Sequence, residues 1–394
     1  MSPHSASAIV LGLDANGYGV VRSLAQAGVH VVALWEGSAS YGRHSRLCEA
    51  VEIKVPESAL EDIEHVARRL ADRDGARPVL FPTSDRFAAL LASHRESLQS
   101  SATFHWVAAG LLEEVADKAR VRATCRRLGI LVPPTEAPQT HAEVAAAARS
   151  LRFPALLKPA DAQRYPLPGG VKNVVIESAD SLRDWYGTHP KFLARTVCQE
   201  IIPGGDDHMY EYIGLATQAG SVAVEASMRK LRQYLPGYGI TSYGRTERCA
   251  DVLAAGRALL EGVGWLGLAS LEFKRSATDG RFYFIELNPR LPWYNHLLAD
   301  AGVDFPVLAY RNLAGLQLPK PSPEQRDKVH WLNFELDVGA FWRLRQAGQL
   351  SVGSWLASLT RARSFAWLNP QDPAPMLAVL ARLARLGLRR LWTR

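Results

Sequence analysis

Four residues of the stretch SLEFKRSATDGRFYFIELNPR, Ser270 to Arg290, carry groups suited to metal-assisted phosphoryl chemistry: Glu272, Glu286, Asn288 and Arg290. Apolar, aromatic-rich runs from Leu266 to Lys274 and from Arg281 to Leu287 flank Asp279-Gly280, a turn signal, so the stretch reads as a β-hairpin. Side chains alternate faces along a strand. Glu286 and Asn288 therefore share one face, and Glu272 lies on a face with Ser270 and Lys274. Pairing symmetric about Asp279 would set Glu272 opposite Glu286. Two carboxylates that close repel unless a cation sits between them. Hard oxygen ligands suit magnesium, which also takes water and substrate phosphates. Arg290, just beyond, could clamp a transferring phosphoryl group. The competing reading is a surface hairpin with solvated charges.

Further cations and glycines lie upstream. Lys158 stands among apolar residues in FPALLKP, where a lysine is costly to bury unless an anion offsets its desolvation. A loop, DAQRYPLPGGVK, follows with Gly169-Gly170 at its tip, and Asn173 to Glu177 resumes a strand. Backbone N–H groups of such a loop can close over phosphates; a plain hairpin tip has the same sequence signature. Val197 to Ile202 (VCQEII) is the next strand, and Pro203-Gly204-Gly205-Asp206-Asp207 follows it. Arg229, Lys230 and Arg232 place three cations in four residues, which would neutralise a polyphosphate or form a solvated edge.

The elements that must position these groups begin with a β–α–β pattern. Ala8 to Leu13 and Val29 to Leu34 are the strands, and a turn bearing Gly12, Gly17 and Gly19 leads into a helix read from Val20 to Ala27. This is not the GxGxxG fingerprint of dinucleotide sites. The expectation is a Rossmann-like domain whose glycine turn packs tightly or meets a small ligand. Val79 to Phe81 ends at Pro82-Thr83-Ser84-Asp85, where a strand's carboxyl end meets a helix start. Open α/β sheets bind ligands there, and Ser84 or Asp85 would equally serve as an N-cap. The first domain is placed at residues 1–113, and a basic helix carrying Lys118 opens the next.

Composition narrows the class. The chain has 394 residues, 47% hydrophobic and 22% charged, enough for two or three domains. No apolar run reaches the roughly eighteen residues of a membrane-spanning helix, and residues 1–8 lack a secretory pattern. Four widely spaced cysteines show neither disulfide-framework nor metal-ligand spacing, which suggests a reducing, cytoplasmic setting. The net charge of +7 belongs to the tail: residues 343–394 hold nine arginines and one acid, Asp372. The rest is close to neutral, which argues against a nucleic-acid binder. Five of the ten tryptophans fall beyond the Pro-rich connector at 320–328. A helix from Ala374 to Trp392 presents an apolar stripe and, on another side, Arg382, Arg385 and Arg389. It reads either as a helix docked on the body or as a peripheral attachment to an anionic membrane or an acidic partner.

In order, the fragments ADK, LLKP, QEIIPGGDD, RKLRQYLPGYG, LEFKRSATDGRFYFIELNPR and AGVDFP resemble the ATP-grasp superfamily, and within it the carboxylate–amine (amino-acid or peptide) ligases. The resemblance covers roughly residues 1–318. It implies a mixed α/β and α+β fold: a Rossmann-like pre-ATP-grasp domain at 1–113, an ATP-grasp domain at 114–318 with a small ATP-covering subdomain about 135–198, and a helical, Trp/Arg-rich extension at 319–394. It also implies ATP with one or two magnesium ions, or manganese in their place. Lys118 and Lys158 would contact the nucleotide, the Gly169-Gly170 loop would fold over the triphosphate, and Gln199, Glu200 and Ile202 would lie in the adenine-binding linker. Asp207 would reach the ribose, with Asp206 as its rival. Lys230 would reach the γ-phosphate, and Glu272, Glu286 and Asn288 would hold the metal. Arg290, with Arg232, would steady an acyl-phosphate. The serine-rich glycine loop of many relatives is replaced here by RYPLPGGVK.

The implied reaction turns a carboxylate, a poor electrophile, into an acyl-phosphate that an amine attacks, releasing ADP and phosphate. Such catalysis is mostly positioning and electrostatics with water excluded. His208 and His296 are candidate helpers, with structural roles as the alternative. The acid and amine, amino-acid or peptide-like, are expected near Asp14, Asn16, Ser84, Asp85 and Trp293-Tyr294-Asn295. A homodimer is common in the family, and no nucleic-acid partner is expected. Two other readings stay open: another acyl-phosphate or phosphoryl-transfer enzyme, and a non-catalytic ATP-binding scaffold.

Overall fold

The computed structural model describes residues 6–392 apart from 38–39, 54–57, 108–109, 117, 161–164 and 172. It divides into two compact units: residues 1–109, 205–271 and 288–394 form the first, and residues 110–204 with 272–287 the second.

The first unit opens with β1 (Ala8–Leu11), α1 (Ala15–Gln26), β2 (Val31–Trp35), β3 (Glu49–Glu52), α2 (Ala59–Asp74), β4 (Val79–Pro82), α3 (Asp85–Ser93) and α4 (Arg95–Leu98). The strands pair in parallel in the order β3-β2-β1-β4. Strands β1, β2 and β4 read as near-continuous apolar runs because helices cover both faces, whereas the edge strand β3 is EAVE. Helix α1 begins at Ala15, five residues before the expected start. Asp14 caps it by accepting from the N–H groups of Asn16 and Gly17 at 3.0 and 3.2 Å. Ser84 caps α3 through the Phe87 N–H.

The glycines of the first turn serve packing. A Cβ on Gly12, whose φ is +110°, would stand 2.4 Å from Thr83 Oγ1, and one on Gly19 would stand 2.5 Å from Asn295 Oδ1. They let the backbone of this turn come against its neighbours.

The second unit holds α5 (Leu111–Ala116), α6 (Lys118–Arg127), β5 (Thr135–Glu136), α7 (His141–Ser150), β6 (Ala155–Pro159), β7 (Val174–Ile176), α8 (Ala179–Thr188) and β8 (Thr196–Glu200). Its sheet is antiparallel in the order β5-β8-β6-β7. Helices α7 and α8 cover it, burying Val144, Leu182 and Tyr186 against Leu157 and Cys198. Thr140 caps α7, as its place before the helix suggests.

The chain then returns to the first unit with β9 (Met209–Gln218), β10 (Ser221–Tyr234), β11 (Ile240–Thr246) and α9 (Ala250–Gly262). Strand β12 (Gly267–Arg275) starts beside β9 in this unit and ends in the second, where β13 (Phe282–Asn288) begins. Beyond it come α10 (Asn295–Asp300), α11 (Phe305–Leu313), β14 (His330–Leu332), α12 (Phe334–Gln346), α13 (Val352–Leu359), β15 (Ala362–Phe365) and α14 (Ala374–Trp392).

Helix α14 has the expected limits. The extension is nevertheless more than helical: β14 pairs with β11 and β15 with β14, so it lengthens the large sheet by two strands. Its Trp331, Trp367 and Val379 lie in the same apolar core as Tyr18 and Val20 of α1, Met228 of β10 and Leu297 of α10. Trp367 stacks on Tyr18 at 5.8 Å between ring centroids and meets Tyr41 edge-on. Asp372, the tail's one acid, is buried and accepts from the Tyr18 and Ser45 hydroxyls at 2.9 and 2.6 Å.

Candidate active site

In the second unit Lys158 and Gln199 come together. Both face the same side of the β6–β8 ladder, and the lysine Nζ donates to Gln199 Oε1 at 2.8 Å. The glycine-tipped segment starts just after Lys158, between β6 and β7, which pair as expected. Gly169 and Gly170 both take positive φ, +71° and +68°, and a Cβ on either would meet nothing within 4 Å. Successive left-handed glycines turn the backbone sharply without side-chain cover, and the Gly170 N–H donates within the turn to the Leu167 carbonyl at 3.0 Å.

Glu200 and Ile202 are buried at the end of the same strand. The Glu200 carboxylate accepts from the Arg152 backbone N–H and from its guanidinium, each at 2.9 Å, so this side chain anchors the strand end. The side chain of Lys118 and residues 161–164 and 172 of the expected loop lie outside the described residues.

The hairpin turn is four residues long. The Ser276 N–H donates to the Arg281 carbonyl at 2.8 Å, Gly280 closes the turn with φ +72°, and Phe273 packs edge-on against Phe284. The pairing axis thus falls between Thr278 and Asp279. The expected opposition of Glu272 and Glu286 assumed an axis on Asp279, half a residue further along than this turn hydrogen bond. Strand β13 does run on to Asn288, so Glu286 and Asn288 share a face. Among the described residues no three His, Cys, Asp or Glu side chains cluster as a metal site. The expected set has two carboxylates and an amide, hard oxygen donors of the kind magnesium takes.

In the first unit Arg229, Lys230 and Arg232 lie inside β10, which runs on to Tyr234. Lys230 is 2% exposed and pairs at 2.9 Å with Glu211, whose side chain is 4% exposed. The Tyr294 hydroxyl donates to the same carboxylate. Sequence reasoning missed Glu211, although an acid inside the apolar run EYIGLA is a signal that a cation must meet it.

Arg232 corrects an expectation. Its Nε and Nη2 donate at 2.9 Å to the two oxygens of buried Asp337, and Nη2 also reaches Ser358. Its ring neighbour is Tyr243, 4.2 Å from the guanidinium carbon. Asp337 further accepts from Ser242 and from Trp355 Nε1. A fork held this way by its own chain pins the C-terminal extension to β10 and does not face a transferring phosphoryl group.

Arg290 donates to Asp85 Oδ1 at 2.9 Å and to the Leu291 carbonyl. It stands at the carboxyl edge of the parallel sheet with Asp14. Burial pushes the Asp14 carboxyl up, and the Gly17 N–H, the Arg290 charge and the Asn16 N–H oppose that. Of the two adjacent aspartates, Asp206 accepts from Gln233 and from the Gly237 N–H, latching a turn. Asp207 is exposed and meets Arg229. Asn16 and Asn295, expected near substrate, hold each other instead. The Asn295 amide donates to Asn16 Oδ1 at 2.8 Å, and that of Asn16 to the Thr83 and Leu291 carbonyls at 2.8 and 2.7 Å.

His296 is buried beside Ser23 and Asp300, and burial, with Arg22 nearby, pulls its imidazole down to about 3. The unfolded chain therefore binds a proton that the folded chain refuses. The stability this site contributes is complete above the ordinary value of 6.5 and declines as pH falls toward 3. The expected observation is a His296 ring resonance that stays at its neutral position from pH 8 to 5 in a proton–nitrogen NMR titration. A midpoint inside that range would contradict the burial argument.

A Rossmann-like sheet, a small antiparallel sheet with a lysine and a glycine loop, and a larger sheet ending in an acid-bearing hairpin make up the ATP-grasp fold, and this chain has that fold. It is similar over 88% of its length to the ADP complex of purK, N5-carboxyaminoimidazole ribonucleotide synthetase, with 87% of that chain covered, 16% identity and a TM-score of 0.63. It is also similar to the biotin carboxylase domain of Hydrogenobacter thermophilus 2-oxoglutarate carboxylase, solved with MgADP, ADP and bicarbonate; 83% of this chain and 74% of that one align at 18% identity and a TM-score of 0.62. In sequence it is 22% identical over 306 residues, 72% of this chain and 70% of the relative, to D-aspartate ligase of Enterococcus faecium strain Aus0004. No family model matches the chain.

Proposed function

We propose that the protein uses ATP to phosphorylate a carboxylate and couples the resulting acyl-phosphate to an amine, releasing ADP and phosphate. The observation that carries this reading is the joining of Lys158 to Gln199 beside the doubly left-handed glycine turn in one sheet. A cation beside a glycine turn that no side chain covers suits a triphosphate. Lys118 and Ile202 would complete the nucleotide contacts, with Glu200 fixing the strand end and exposed Asp207 at the ribose. Glu272, Glu286 and Asn288 would hold magnesium, which supplies charge neutralisation to the phosphates when bound. Lys230, paired with Glu211, would reach a terminal phosphate. Arg290 would grip the acid undergoing activation.

Amine coupling is favoured by the D-aspartate ligase likeness, which spans most of both chains. A second reading, carboxylation with bicarbonate as the acid, is favoured by the names of the two solved structures. Their identities, 16% and 18%, speak to fold and leave the acid open. A matrix of acids and amines, bicarbonate among them, scored for ADP and for product mass, separates the two. Release of ADP that requires both an organic acid and an amine, with an amide of the combined mass, is the expected result. Release that requires bicarbonate instead would install the second reading. ATP binding with no turnover under any pairing would leave only a scaffold.

A further inference from the structure

We propose that the tip formed by α12 and α13 is a docking surface for an anionic lipid bilayer. Helix α13, VGSWLASL, carries no charge and buries none of its side chains. Val352 and Leu356, one turn apart and so on one face, are 47% and 51% exposed, and Trp342 of α12 is 56% exposed. An apolar helix ordinarily buries its apolar face against the body. Here the body holds an adjoining side: Trp355 stacks on Phe341 at 4.4 Å and donates to Asp337 at 2.8 Å, and Leu359 packs against the cluster of Tyr243 and Leu332. The outward face is thus presented by a firmly seated helix.

Charge selects the occupant. Arg343 and Arg345 precede the tip, Arg361 and Arg363 follow it, and all four are exposed. Among the described residues none of the four has a carboxylate within salt-bridge distance. Asp372, the single acid of residues 338–394, is buried. A second copy of the chain would bring eight guanidinium groups together around the apolar contact, which like-charge repulsion opposes. A bilayer accepts valine, leucine and tryptophan at the acyl boundary and arginines at the headgroups. The tail helix α14 is a weaker candidate, because Val379 is in the core and Arg382 meets Glu335 and Tyr41.

The test is co-sedimentation of the full chain with phosphatidylcholine vesicles, with and without about 30% phosphatidylserine, at low and high salt. Binding to the anionic vesicles alone, weakened by salt, is expected. Arg343→Gln with Arg345→Gln should weaken it by about 30-fold, since each basic residue near the surface contributes about 1 kcal/mol. Leu356→Ser should weaken it severalfold while leaving circular dichroism unchanged, because the side chain is outside the core. Equal binding to neutral vesicles, no binding, or indifference to either variant overturns the proposal. Concentration-dependent self-association that Leu356→Ser abolishes, without vesicle binding, would assign the face to a second copy instead.

Discussion

Glu286→Gln is expected to lower turnover by about 10²–10³-fold and to leave the folded structure unchanged. The size follows from what one well-placed electrostatic partner contributes in a water-excluded phosphoryl-transfer site. Glutamine keeps the volume and one carbonyl oxygen, so β13 and its packing through Phe284 survive. It loses the negative charge that would draw a divalent cation toward the terminal phosphates. Two measurements check this. ADP release at saturating magnesium reports the chemical step, and Mn²⁺ binding followed by electron paramagnetic resonance, with ATP present, reports the cation directly. Normal values of both would remove Glu286 from the metal set. Weak Mn²⁺ binding with normal turnover would separate cation affinity from the reaction.

The second large effect is on stability. Asp337→Ala should cost about 3–5 kcal/mol, because it strands the buried Arg232 guanidinium and removes the acceptor of Ser242 and Trp355. The loss is read from urea unfolding followed by tryptophan fluorescence, since Trp355 reports on this contact. Replacing both partners by apolar residues of similar size, Arg232→Met with Asp337→Leu, should recover the part due to the stranded charge and not the part due to Ser242 and Trp355, which still lack their acceptor. A cost below about 1 kcal/mol for Asp337→Ala would mean that the ion pair is not what ties the extension to β10.

Local chemistry made much of this protein legible. The turn at Asp279-Gly280, the glycine pair at 169–170 and the span of α14 depend on neighbours within a few residues, and the structure has each where the sequence put it. Register was harder. A single residue in the turn shifts the pairing axis, and loop length is the least certain quantity in a hairpin. The roles of Lys230 and Arg232 illustrate the larger gap. Both are cations in one short run of β10, yet Glu211 meets the first and Asp337, 105 positions from Arg232, meets the second. Nothing in the run itself distinguishes a cation held by the chain from one offered to a ligand.

The sequence by itself determined the kinds of groups available and the order in which strands and loops deliver them: oxygen donors near Asn288, lysines and glycines upstream, arginines at the end. Only the tertiary structure decided which of those charges are already answered. Asn16 locks to Asn295, Asp206 closes a turn, and the arginine-rich extension joins the core of the first domain through Trp367 and Asp372. The physical reason is that helix and strand periods are set by near neighbours, whereas the cost of burying a charge is met by whichever opposite group the fold brings alongside, however distant in the chain.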